Sequence, residues 1–301
     1  MAATAREVKK RIQSVKNIAQ ITRALQAVSA SKVQRAVQMV ESTRPYATKA
    51  WEVLTHLAME PLRAQLHPLL APREEVKQVA VVLITADRGL AGPYNTEILT
   101  AAYRKFNDYP VPVQWVTVGR KGRDFLLRRR KHLMADFSGL GDPPTYVEVS
   151  PIGRLVVDEY LAGNVDEVHI VYMDFISFMR QEVRIQKLLP LEFDAREEAE
   201  GVLEGTARRL TAAYIYEPSP EALLDEIVPR FIQLQIYRAV LEARASEHAA
   251  RMVAMKRATD NATELAALLQ LEYNKARQQG ITRELMDIVG GAEALRKQEG
   301  R

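Results

Sequence analysis

The chain has 301 residues, 47% of them hydrophobic and 27% charged, a balance that suits a folded protein and excludes wholesale disorder. Lysine and arginine number 42 against 38 aspartates and glutamates, and the resulting charge of +4 is too mild to mark a nucleic-acid binder unless it is clustered. Cysteine is absent, which excludes disulfides, thiolate metal sites, cysteine nucleophiles and dithiol switches; no run is long enough to span a membrane, and the N-terminus carries no apolar run of the secretory kind.

From Thr4 to Met59 there is no glycine, and the single proline is Pro45. Apolar residues at Val8, Ile12, Val15, Ile18, Ile21, Leu25 and Val28 advance by three and four, the period of one helix stripe. The spacing predicts a helix from Ala5 to about Arg44, bent or broken at Arg44-Pro45, where proline removes a donor and crowds the preceding turn. The opposite face is basic through Lys9, Lys10, Lys16, Arg23, Lys32 and Arg35, with almost no acid before Glu41. Such a face fits a solvated rod or, given how scarce the acids are, an acidic partner surface. Nucleic acid lacks support, because stacking aromatics and a binding motif are missing.

The period changes in the middle, about Val76 to Pro190. Val79 to Thr85, Val113 to Gly119 and Val168 to Met173 read as short buried strands, and a helical pattern from about Asn95 to Asn107 joins the first two into a βαβ unit with a parallel sheet. Ser177 to Leu189 and the Tyr214 region read as an added strand or hairpin. Arg196 to Arg208, polar and carrying Gly201 and Gly205, reads as a mobile insertion.

The loop Thr85 to Asn95 stands where a doubly wound domain binds a nucleotide. It lacks both GxGxxG and the lysine–hydroxyl pair of a P-loop, so Asp87 and Arg88 read as a local ion pair or an interface contact. Gly119-Arg120-Lys121-Gly122 could meet a phosphate at a helix N-terminus, but a solvated basic turn is the plainer reading.

A last long helix is expected from Pro220, after Pro218 and a capping Ser219. Leu241, Ala245, His248, Met252, Met255, Thr259, Ala262, Ala266, Leu269, Tyr273 and Ala276 keep a four–three register, the sign of a supercoiled pair. Its seam is unusually small and polar. Pro229 is expected to kink the helix, and Gly280, Gly290 and Gly291 to soften its end. His248 has no ligand-spaced partner in sequence and reads as a core or interface histidine. Ser246, Glu247 and His248 point in different directions on a helix and cannot form a triad, and His67, His132 and His169 form no constellation. Two long helices at opposite chain ends imply an antiparallel pair beside an α/β domain.

Specific blocks then carry a resemblance. Ile12 to Asn17, Gln20 to Lys32, Thr85 to Gly92, Ala245 to Lys256, Ala258 to Ala262, Tyr273 to Gln278, Ile281 to Leu285 and Ile288 to Ala292 together resemble the gamma subunit of bacterial F-type ATP synthase. The resemblance implies an α/β fold class: a long antiparallel coiled coil from the two termini plus a Rossmann-like foot. The segments would be 1–60 for the first helix, 76–195 for the α/β domain, 196–219 for a connecting segment and 220–301 for the last helix. It implies a rotor shaft that couples c-ring rotation to ATP chemistry on the beta subunits, with no catalysis, cofactor or metal on this chain.

The partners implied are the alpha and beta subunits, epsilon and the c-ring, with indirect attachment to the cytoplasmic face of a bacterial plasma membrane and no nucleic acid. Arg277, Gln278, Thr282 and Leu25 match positions that face beta, and Arg44, Pro45, Tyr46, Tyr216 and Glu217 match foot segments that contact the c-ring. The lack of cysteine excludes the thiol regulation of some photosynthetic relatives. Two rivals are a nucleotide-binding protein with helical extensions and a coiled-coil nucleic-acid adaptor; nucleotide retention or salt-sensitive DNA binding would mark them.

Overall fold

A computed structural model describes residues 5–58, 67–191 and 220–299, with side chains described over 5–54, 67–191 and 222–292. The Tyr214 region, the segment 196–208, Tyr216, Glu217 and Ser219 lie outside the described residues. The chain divides into two compact units, Met1–Val28 with Met252–Arg301, and Ser29–Arg251.

The larger unit is built on a five-stranded sheet in the order β3-β2-β1-β4-β5. Strands β1 (Val79–Ile84), β2 (Val113–Val118), β3 (Leu133–Phe137) and β4 (Glu167–Phe175) are parallel, and β5 (Gln181–Leu189) returns antiparallel to β4. The three apolar runs are the three central strands, and Ser177 to Leu189 forms the hairpin with β4, closed by mutual backbone bonds between Ser177 and Arg180. Side chains alternate across β1. Ala80, Val82 and Ile84 enter one core with α4 (Tyr146–Leu161), part of α1 (Ala5–Ala58) and the start of α5 (Pro220–Glu299). Val79, Val81 and Leu83 enter the other, with α2 (Tyr94–Phe106), Trp115 and Leu126 of α3 (Arg120–Arg128). A strand covered on both faces needs no polar alternation, which is why β1 is apolar throughout.

Three elements escape the periodicity argument. Helix α3 is short and contains Gly122, β3 is a half-buried edge strand, and α4 contains Pro151. What starts α4 is a capping box: Thr145 Oγ1 accepts from the Glu148 amide, while the Glu148 carboxylate accepts from the Thr145 amide and holds its own pKa down. Gly153 lets α4 approach α5 closely, since a Cβ there would stand 2.7 Å from Gln233 Cγ.

The first long helix departs from the break expected at Arg44-Pro45. Helix α1 does not end at Arg44-Pro45 but continues to Ala58, and α5 runs through Pro229, Gly280, Gly290 and Gly291 to Glu299. Pro45 and Glu41 are both exposed, so the carbonyl deprived of its donor can be hydrated, which makes the proline tolerable there.

In the smaller unit, residues 5–28 and 252–299 pair antiparallel. Val8 and Ile12 cluster with Leu269 and Tyr273, and further along α1 the hydroxyls of Thr22 and Thr259 meet at 2.7 Å. The α5 register holds: Met255, Thr259, Ala262 and Leu269 are buried, and Met252, Ala266, Tyr273 and Ala276 half-buried. The α1 stripe needs correction. Ile18, Ile21 and Val28 are exposed, and the line facing α5 passes instead through Val15, Ala19 and Thr22. A supercoiled seam repeats every seven residues, whereas steps of three from Val15 drift off it.

Candidate functional site

A doubly wound sheet offers its ligand crevice beyond the carboxyl ends of its strands, where strand order reverses. Here that point lies between β1 and β4, below the loop Thr85–Tyr94. The protein itself occupies it. Ala250 of α5 packs against the core containing Val171 and Met173, and the buried Tyr94 hydroxyl donates to the Ala243 carbonyl at 3.0 Å. Burial first, then the Glu247 carboxylate, pushes the Tyr94 pKa up, so the phenol keeps its proton.

The helix N-terminus that could have taken a phosphate is equally engaged. Around the start of α3, the Arg120 amide donates to Asp87 Oδ1 at 3.1 Å, the Lys121 amide to the Ala86 carbonyl, and the Gly122 amide to Thr85 Oγ1 at 2.9 Å. Asp87 is an internal anion standing where an external one would bind. Gly119 makes this turn possible: at φ 99° its backbone suits only glycine, and a Cβ would fall 2.2 Å from the Thr85 carbonyl oxygen. The basic turn is therefore a helix start whose amides bond to the β1 loop, while the Arg120 and Lys121 side chains are exposed to solvent.

Asp87 does not pair with Arg88. Its Oδ2 lies 3.3 Å from Arg244 Nη2 on α5, while Oδ1 also accepts from the Gly139 amide at 3.3 Å. From Arg244 a chain of charges continues along α5. Arg244 Nη1 donates to Glu247 at 2.9 Å, and Arg251 Nη2 donates to the other Glu247 oxygen at 2.5 Å and to the Gly89 carbonyl at 3.4 Å. Arg251 Nη1 lies 3.2 Å from His248 Nδ1, His248 Nε2 lies 3.1 Å from Asp142, and Lys32 of α1 donates to the second Asp142 oxygen at 2.6 Å. A guanidinium can only donate, so His248 Nδ1 must accept and Nε2–H must donate to Asp142; the geometry selects one tautomer. Hydrogen bonding from His248 and then Lys32 holds the Asp142 carboxyl well below its ordinary range. Burial works against the charge on Arg244, and Glu247 followed by Asp87 outweighs it.

His248 is thus a buried histidine, and its neighbour Ser246 is a buried hydroxyl without a partner among the described residues. Residues 244, 247, 248 and 251 share one helix face, a spacing readable from the sequence; their partners Asp87, Asp142 and Lys32 are far away in the chain. His169 pairs with Glu167, and His67 lies 3.4 Å from Asp225.

In the smaller unit, a groove of about 600 Å³ runs between the helices, with Lys16, Gln20 and Arg23 on one side and Thr263, Ala266 and Gln270 on the other. The residues expected to face beta occupy two levels there. Arg277, Gln278 and Thr282 are exposed, with the Thr282 hydroxyl donating back to the Gln278 carbonyl at 3.0 Å. Leu25, half-buried, lies one turn beyond the Thr22–Thr259 contact, roughly 30 Å along α5 from Arg277 at 1.5 Å per residue. Arg44, Pro45 and Tyr46 are consecutive and exposed on α1 in the larger unit. No described helix is long and apolar enough to cross a membrane.

A family profile described as ATP synthase matches residues 4–295. The ATP synthase gamma chain of Dehalococcoides mccartyi is 44% identical over 297 residues, covering 97% of this chain and 99% of that one. The ATP synthase gamma chain of Syntrophobacter fumaroxidans is 42% identical over 300 residues, covering 98% and 100%. Among solved structures, a chain from the central stalk and c-ring of the Tetrahymena thermophila mitochondrial ATP synthase aligns with TM-score 0.62 and 25% identity over 79% of this chain and 99% of that one. A chain of the Euglena gracilis mitochondrial ATP synthase aligns with TM-score 0.64 over 97% of this chain and 94% of that one at 21% identity, a likeness of fold.

Proposed function

This chain belongs to the ATP synthase gamma chain family, and we propose on that footing that it is the central-stalk rotor subunit that carries c-ring rotation to the beta subunits of an alpha–beta ring. ATP chemistry takes place on beta, and this chain binds no nucleotide itself. The observation that carries the reading is the helix pair of the smaller unit. Its seam is built from Ala, Thr and a few larger residues, and past Ala276 every described side chain to Ala292 is exposed. A slender pair with an uncovered end suits a central cavity, and orientation of such a shaft would bias each catalytic subunit among packed states.

Arg277, Gln278 and Thr282, all exposed, are the residues to contact a beta-subunit loop, and Leu25 a second level of beta; Arg44, Pro45, Tyr46, Tyr216 and Glu217 face the c-ring. The basic residues Lys16 and Arg23 flanking the groove suit acidic loops on beta, and exposed pairs worth about 0–1 kcal/mol each can be broken at every step. Attachment is peripheral, through the c-ring and beside epsilon, on the cytoplasmic side of a bacterial plasma membrane. The occupied crevice at β1 and β4 supports the absence of a nucleotide role.

Co-expression with the alpha and beta subunits and the membrane sector that holds the c-ring, for the full chain and for a chain ending at Arg277, tests the reading. Assembly is expected for both and weakened ATP-driven proton pumping for the shortened one. Normal membrane-driven synthesis without the helix end, or nucleotide retained by the isolated chain, would overturn it.

A further inference from the structure

Between Leu224 and Ala243, α5 meets the sheet through apolar side chains such as Val228, Phe231, Ile232 and Val240. Contacts of that kind are strong and non-directional, and the directional ones in this stretch are few: the Tyr146–Gln233, Tyr237–Pro144 and Tyr94–Ala243 bonds. Over the next two turns the chemistry changes to the charge chain of Arg244, Glu247, His248 and Arg251. With side chains of Arg244 and Glu247 only 11% and 5% exposed, these pairs are buried deeply enough for desolvation to cancel much of their attraction. Ion pairs so placed contribute little net stability, and their best-attested use is to specify one register.

The geometry points to this chain of charges as a register lock: Asp87 and Asp142 are positioning residues that hold α5 at one rotational setting against the α/β layer, so that twist passes into α5 instead of dissipating as slip. The inference rests on the rotor reading above. Asp87 is itself immobilised by the Arg120 and Gly139 amides, and so presents a fixed carboxylate to Arg244. Asp142 takes the His248 proton donor on one oxygen and Lys32 on the other, which ties α1 to the same setting. Arg251 adds a bond to the Gly89 carbonyl, so the loop after β1 grips α5 at two heights. Turning α5 by one residue, about 100°, would break all of these bonds together, because each donor fork fits one direction only.

The test uses the whole ATP synthase in sealed vesicles, reading assembly, ATP hydrolysis and protons moved per ATP. Asp87→Asn keeps acceptors for the two amides and removes the charge facing Arg244. Assembly and hydrolysis are expected to persist, while protons moved per ATP fall about threefold or more. Arg244→Lys, which retains the charge without the fork, should lower the ratio by less. Lys32→Met, at the exposed end of the branch, should lower the ratio least and serves as the assay if Asp87→Asn does not assemble. An unchanged ratio in assembled Asp87→Asn, or in Lys32→Met where the first fails to assemble, would overturn the lock and leave the rotor reading standing. Failure of the unaltered chain to assemble with alpha and beta would instead defeat the rotor reading.

Discussion

Helix α5 meets two different environments along its length. Within Ser29–Arg251 it is clad in Phe231, Ile232, Ile236, Tyr237 and Leu241 and then clamped by ion pairs. Within the smaller unit it buries Met255, Thr259, Ala262 and Leu269 against one helix, and past Ala276 nothing in the described residues. Apolar burial at about 25 cal/mol per Å² makes the first stretch the seat of stability and the second a thin interface with little to lose. A helix can therefore be anchored at one end and left compliant along the other without any change in backbone structure, by side-chain volume alone.

The largest effect that would sharpen this contrast is expected at Gly119. A side chain there enters a backbone conformation reserved for glycine and collides with the Thr85 carbonyl. Gly119→Ala should cost about 3–5 kcal/mol in denaturant unfolding, or abolish folding of the α/β layer. A loss below about 1 kcal/mol would mean that the turn from β2 into α3 is not held as closely against Thr85 as its geometry requires.

Next comes Asp142. Its folded pKa is depressed below the ordinary 3.8 by His248 and Lys32, so its contribution is present at neutral pH and lost as pH falls through and below that value. Its side chain is 34% exposed, so screening trims the effect, and Asp142→Asn should cost about 1–2 kcal/mol at pH 7. The gap between variant and parent should close on acidification below about pH 4, read from unfolding curves across pH. A gap independent of pH would show that packing, rather than charge, is what the asparagine disturbs.

How much of this was legible in sequence follows from the same contrast. Apolar runs revealed β1, β2 and β4 because a strand covered on both faces has no polar alternation, and the α5 seam was visible because its register repeats over many turns. Helix α1 misled at Ile18, Ile21 and Val28: apolar residues that face solvent look, in one dimension, the same as those that face a partner. Edge strand β3, with its half-buried Leu-Met-Ala-Asp-Phe, and helix α4, with Pro151 inside, carry no clean period. The charge chain was hidden because Asp87 and Asp142 acquire their roles only when folding brings them to α5. Arg88, adjacent to Asp87, was the obvious partner by position and the wrong one.

In the smaller unit the expected effects shrink. Thr22 and Thr259 share a hydroxyl contact, yet each also donates or can donate to its own helix, Thr22 to Ile18 and Ala19 carbonyls and Thr259 to Met255. Thr259→Val removes the cross-helix bond, keeps the volume and leaves no hydroxyl on Thr22 without an acceptor. A change under about 1 kcal/mol in unfolding is expected; a loss as large as that at Gly119 would erase the distinction between the anchored and compliant stretches.

The smallest effect on stability is expected where functional consequence would be greatest. Thr282 is exposed and, among the described residues, its hydroxyl bonds to the Gln278 carbonyl one turn back, so Thr282→Ala should leave unfolding of the isolated chain within about 0.5 kcal/mol. If the exposed end of α5 is a surface for beta, the same substitution, alone or with Arg277→Ala, should reduce ATP-driven pumping by the assembled enzyme. Stability and function would then respond in opposite order at different positions: Gly119 and Asp142 act through the fold, Thr282 and Arg277 through a partner. Normal pumping in Thr282→Ala and Arg277→Ala together, with unfolding equally unchanged, would remove the reason for placing the beta contact at this level of the helix and shift it toward Leu25 and the groove beside Lys16 and Arg23.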